Sequence, residues 1–177
     1  MASPATRGSE SKVLELWERA VGFDRWRRVD ALLPTEQASA RGLGARNSAL
    51  LGLRNALFDR HWPLRSRCSE CGLECEFGVD SVTLADALNE HKSVGTANFE
   101  WTGGSVAARA PTVDDLMAIS QHGDKASAIR ALLARCLSGN IDFGRLTDAE
   151  VDELGGRLEQ LDPGAAVSFA LRCPACE

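Results

Sequence analysis

The chain has 177 residues, 25 acidic against 20 basic side chains, and a formal net charge of -5. With 44% hydrophobic and 25% charged residues, it reads as a folded globular chain of one domain. It does not read as a disordered tail or as a protein whose main work is neutralising phosphates. No apolar run approaches the length of a membrane-spanning helix.

The opening "MASPATRGSESK" is small and polar with no apolar signal core, so residues 1–10 are expected to be a disordered leader. With no signal core, the protein is expected in the cytoplasm. "KVLELWERAVG" then sets Val13, Leu16, Trp17, Ala20 and Val21 at helical spacing. "DRWRRVDALLP" repeats the pattern with Trp26, Val29 and Leu33 before Pro34 stops it. "ARNSALLGLRNALFD" gives a third helix with Leu50, Leu53 and Leu57 on one face. Residues 11–60 are therefore expected to form a helical N-terminal unit. Arg25, Arg27 and Arg28 lie off the apolar face that Trp26 shares, which suits a solvated edge better than a nucleic-acid contact.

The period then changes. In "LECEFGV", Leu73, Cys75, Phe77 and Val79 alternate with Glu74 and Glu76, the pattern of a strand. "NFEWTGGSVAARA" predicts a hairpin turning at Gly103 and Gly104. These strands and the cysteines before them occupy 61–110, and helices are expected over 111–162. Thr112 with Asp115, and Thr147 with Glu150, mark two helix starts. Ile129, Leu132, Leu133, Cys136 and Leu137 form one apolar stripe, which Gly139 ends, and Val151, Leu154, Leu158 and Leu161 form another. Gly155 and Gly156 weaken that last helix. Residues 163–177 carry Val167, Phe169 and Leu171 in alternation, a returning strand. The fold class is α+β, with residues 11–177 as a single domain.

"RSRCSECG" contains Cys68-Ser-Glu-Cys71-Gly72, and "LRCPACE" contains Cys173-Pro-Ala-Cys176. Two residues between cysteines allow a tight turn to aim both sulfurs at one ion, and four thiolates complete a closed tetrahedral zinc site. A compact zinc ribbon separates its pairs by roughly 15–20 residues, whereas here 101 residues intervene between Cys71 and Cys173. Structural zinc on Cys68, Cys71, Cys173 and Cys176 would thus act as a clasp, fastening the closing strand beside the strand that follows Cys71. Four ordinary buried cysteines and a dithiol redox pair are the alternatives. A catalytic zinc fits poorly, because four thiolates leave no open coordination position. Cys75 and Cys136 read as core thiols. His61, His91 and His122 lack ligand spacing, although His61 could replace one sulfur. No catalytic constellation or phosphate-binding loop is nominated.

"GARNSALLGLRNALFDRHWPLRSRCSECGLECEFGVDSVTL" resembles the helix–strand–knuckle–strand segment of the baseplate hub assembly proteins of contractile-tailed phages. It is most similar to the zinc-knuckle forms that accompany phage-tail-like contractile injection systems. The shared elements are Gly44-Ala-Arg46, the Leu50, Leu51 and Leu53 helix, and Cys68 to Gly72. "ARAPTVDDLMAI", "VSFALRCPACE" and "LELWERAVGFDRWRRVDALL" are similar to further family segments. The family's closing knuckle usually continues with Gly and a short strand, whereas this sequence reaches Glu177 one residue after Cys176. The resemblance implies a non-enzymatic assembly or structural protein that binds hub or spike subunits of a contractile tail-like particle, transiently or as a retained part. A zinc-ribbon module for nucleic acid or the transcription machinery is the alternative, disfavoured by the acidic balance. A zinc or thiol enzyme is the third reading.

Overall fold

The computed structural model describes residues 5–34, 42–90, 93–102 and 104–176. The chain is α+β: seven α-helices among the described residues, with one two-stranded and one three-stranded antiparallel sheet.

Three helices open the chain: α1 (Ala5–Ala20), α2 (Arg25–Leu32) and α3 (Leu43–Leu57). Helix α1 begins inside the segment expected to be a disordered leader, so that expectation is corrected from Ala5 onward. Leu16, Ala20, Leu33 and Leu51 are buried in this unit. Trp17 and Val21, expected on the packed face of α1, are instead exposed, because α1 turns only part of its apolar stripe inward. Asp24 caps α2 by accepting from the N–H groups of Trp26 and Arg27. The buried guanidinium of Arg46 on α3 reaches the Trp26 carbonyl at 3.0 Å and Asp30 at 2.7 Å, which fixes α2 to α3.

Strands β1 (His61–Arg67) and β2 (Glu74–Asp80) pair from His61↔Asp80 to Arg67↔Glu74. The residue pattern alone marks no strand here, but the resemblance implies one before the first knuckle, and β1 occupies that place despite Pro63. In a two-stranded ribbon both strands are edges, where proline is tolerated. Helix α4 (Ser81–Glu90) was missed: it starts directly from β2, with Asp80 accepting from Val82 and Thr83 N–H at 3.0 Å each.

The second half holds the main core. β3 (Thr96–Trp101) and β4 (Gly104–Arg109) form the expected hairpin, with Trp101 opposite Gly104; Gly103 lies outside the described residues. Helices α5 (Val113–Ile119), α6 (Lys125–Cys136) and α7 (Asp148–Leu161) follow. Leu137–Ser138 leaves α6 to pair with β4 as β5, so α6 ends before Gly139 and not at it. Val106, Ala108, Leu133, Cys136, Leu154, Leu158 and Leu161 make one buried cluster.

Asp115 ties this half together. Its buried carboxylate accepts two bonds from Arg109 (2.6 and 2.8 Å), one from Arg135 Nε (2.8 Å), and one each from the N–H and hydroxyl of Thr112 (2.9 Å). β4, the start of α5 and the end of α6 thus meet at one charge. The Arg109 bonds hold the carboxyl well below the usual carboxylate range, against the opposing effect of burial.

The two halves meet at Asp162, which is buried. Gly44 N–H on α3 donates to its carboxylate at 2.8 Å, across 118 residues of sequence. Asn47 donates to the carbonyls of Gly164 and Ala165 at 2.9 and 3.1 Å. A Cβ at Gly44 would strike the Asp162 carboxylate and stand 2.9 Å from the Gly164 backbone, so only glycine fits.

The expected returning strand is not formed. Ala166–Arg172 has no ladder partner among the described residues, and Val167, Phe169 and Leu171 are each about two-fifths exposed. Alternation specifies extended backbone, but a strand also needs a neighbouring backbone. Here the segment meets β2 through side chains instead, with the Phe169 and Phe77 rings 5.9 Å apart.

Asp115→Asn should lower unfolding free energy by about 3 kcal/mol at pH 7 in a denaturant titration, because it strands two arginines. Asp115 has its folded pKa depressed, so its contribution is fully present above about pH 4 and is lost as pH falls further. The variant should therefore show a flatter stability curve in acid. Gly44→Ala should cost about 2 kcal/mol by overpacking; unchanged stability would show that Asp162 and Gly164 give way freely.

Candidate metal centre

Each knuckle is built by its own backbone. After β1, the chain turns at Cys68–Leu73: Gly72 N–H donates to the Cys68 carbonyl at 3.0 Å, and Cys68 N–H to the Leu73 carbonyl at 2.9 Å. Gly72 has φ +74°, the left-handed conformation that glycine adopts without steric cost. The second knuckle follows the extended segment that leaves Asp162.

The fold brings Cys68, Cys71, Cys173 and Cys176 together, with their four sulfurs all within 4.8 Å of one another. Cys68 and Cys176 are 3.6 Å apart, Cys71 and Cys173 3.6 Å, and Cys71 and Cys176 3.8 Å. All four cysteines are free. A tetrahedral thiolate site with metal–sulfur bonds of about 2.3 Å has sulfur–sulfur edges of about 3.8 Å. These spacings therefore suit four sulfurs around one ion and are far too long for disulfides. The donor set fits a closed site that could hold a metal ion; its four sulfurs leave no protein-free position for a substrate.

The two knuckles polarise their sulfurs alike. Backbone N–H groups of Cys71 and Glu70 point at Cys68 and lower its pKa, aided by the Cys176 thiol. Ala175 N–H does the same for Cys173, lowering it to about 6. The second cysteines carry the opposite bias. Leu73 N–H favours the Cys71 thiolate, but the neighbouring Cys173 and Cys68 sulfurs and burial outweigh it and raise the thiol. The Cys68, Cys173 and Cys71 sulfurs push Cys176 up to about 12. Without a cation, protons remain on Cys71 and Cys176; a bound metal must displace them.

The remaining candidates stay outside this cluster. Cys75 is half-buried on β2 with its sulfur 3.8 Å from the Leu73 carbonyl, and burial followed by the nearby Cys173 raises its thiol. Cys136 lies in the core, where burial pushes it up to about 11. His61 sits at the opposite end of β1 from Cys68, with its ring over Gly78, so it replaces no sulfur. His122 is exposed, and His91 lies outside the described residues. Arg25, Arg27 and Arg28 are exposed, with the Arg25 guanidinium 4.3 Å from the Trp26 ring centroid. Among the described residues, no helix is long and apolar enough to cross a membrane.

No protein-family model, curated protein or solved structure matches the chain.

Serine at Cys68, Cys71, Cys173 or Cys176 should abolish metal binding and lower Tm, as read by elemental analysis and calorimetry. Cys75→Ala should leave one metal per chain, and loss of metal in that variant would mean the ligand set is wrong. Cys136→Ala should lower stability by about 1 kcal/mol through packing while keeping the metal. Lowering pH should weaken metal binding, because protons compete for the thiolates.

Proposed function

We propose that the protein is a non-enzymatic, zinc-stabilised assembly or structural protein that binds hub or spike subunits in the baseplate of a contractile tail-like particle. The observation that carries the zinc-stabilised binding role is the closed four-sulfur cluster joining residues 68–71 to 173–176. Such a cluster holds chain segments together and offers no vacant position for catalysis. Zinc is the ion that best matches a tetrahedral four-thiolate set. A zinc-binding free energy of roughly 10–16 kcal/mol in small peptides exceeds the roughly 5 kcal/mol entropic cost of closing a loop of about a hundred residues. A clasp between pairs this far apart is therefore affordable.

The tail-hub assignment is supported by the resemblance of the Gly44–Arg46, Leu50–Leu53 and Cys68–Gly72 segments and of the closing knuckle. The protein acts in the bacterial cytoplasm during assembly, either leaving the hub or remaining in it. The paired Cys-x-x-Cys knuckles also suit a second reading, a zinc-ribbon module that contacts nucleic acid or the transcription machinery.

Elemental analysis with native mass spectrometry tests the zinc, with one ion per chain expected. Co-expression with tail tube, hub and spike subunits tests the partner, and a stable complex with one of them is expected. Duplex binding that weakens steeply with salt, without any such complex, would favour the second reading. Metal-dependent turnover would displace both.

A further inference from the structure

An apolar cleft lies between α6, α7 and the segment after Asp162, with a volume of ≈ 780 Å³. Ile129 and Leu132 of α6 and Val151 and Leu158 of α7 contribute its apolar walls. Gly155 and Gly156 open it along α7. Two consecutive glycines in mid-helix are poor helix formers, and such glycines are usually kept where another part of the fold comes close. Neither has that reason among the described residues, where a Cβ at Gly155 or Gly156 would meet nothing within 4 Å. The space they leave faces the cleft.

Charge narrows what can fill it. Among the described residues, the ionisable ones lining the cleft are Asp152, Glu159 and the buried Asp162, with no lysine or arginine. Asp152 and Glu159 stand beside Gly155 and Gly156 on α7, one turn to either side. Asp162 is already engaged by Gly44 N–H, so the outward acidic groups are those two. An occupant must therefore be apolar where it meets the glycines and basic where it meets the rim.

We propose that this cleft is a docking groove for an amphipathic helix of a partner protein, with an apolar stripe flanked by lysine or arginine. The absent Cβ atoms let the partner's backbone approach α7 closely, and the walls take side chains spaced three and four residues apart. Asp152 and Glu159 select the charge and orient the helix. The inference names the chemistry of the partner for the binding role above and so rests on that role. It is testable without any tail protein.

The probe is a fluorescein-labelled 15-residue peptide of leucine and lysine, with leucines at i, i+3, i+4 and i+7. Fluorescence anisotropy on the intact metal-loaded protein should show saturable binding. A peptide of the same composition in scrambled order should bind at least tenfold more weakly. The Gly155→Ala, Gly156→Ala double variant should raise Tm by about 4 °C while weakening the ordered peptide at least tenfold. Asp152→Lys with Glu159→Lys should weaken it similarly. Equal binding of ordered and scrambled peptides, or undiminished binding by the glycine variant, would overturn the groove. A concentration-dependent dimer in sedimentation, dispersed by the same glycine substitutions, would assign the groove to a second copy and overturn the partner helix. Groove binding without any complex with tail subunits would keep the groove and remove the tail-hub role.

Discussion

Sulfurs 3.6–3.8 Å apart cannot all be thiolates unless a cation lies among them. That constraint organises the rest of the molecule. Each knuckle can aim two sulfurs from local backbone alone, but the meeting of the pairs depends on where the intervening chain leaves its ends. β1 and β2 fix the first knuckle as the turn of a ribbon. The second is set by α7, by Asp162 at the end of α7, and by the extended segment that follows. The segment is thus held at one end by hydrogen bonds to α3 and at the other by sulfur. Between those points it packs through side chains, without the ladder that would make it a strand.

The acidic residues that hold the fold work by collecting donors from distant elements. Asp115 gathers β4, α5 and α6, and Asp162 joins α3 to the end of α7. Each is buried, and each accepts bonds that offset the cost of removing a carboxylate from water. The net acidic charge of the chain therefore does not describe its surface alone; part of it is structural.

How much of this was legible in the sequence depended on the range of the signal. The knuckles were legible because two-residue spacing is itself the geometry of the turn. The Thr147 and Glu150 box and the Asp115 start were legible because a cap is made within one turn of helix. β2 was legible from its alternation. β1, whose own pattern Pro63 interrupts, was implied only by the resemblance, and α4 was hidden by a cap that belongs to the last residue of a strand. Leu50, Leu53 and Leu57 gave the right helix, but Leu51 proved the deeply buried position, since packing on two sides rotates the inward face. The tail failed for another reason: alternation states the shape of a backbone and is silent about its neighbour. The bond between Gly44 and Asp162 spans 118 residues, and a single sequence carries no local mark of it.

The separation of the knuckles also imposes an order of events during synthesis. Cys71 precedes Cys173 by 102 residues, which at roughly 5–20 residues per second is about 5–20 s of translation. Through that interval the first pair is a half-site, able to meet metal or oxidant before its partner exists. The fold between the knuckles has the same interval in which to form, so the four-sulfur cluster can close only after the chain between its two halves has been made.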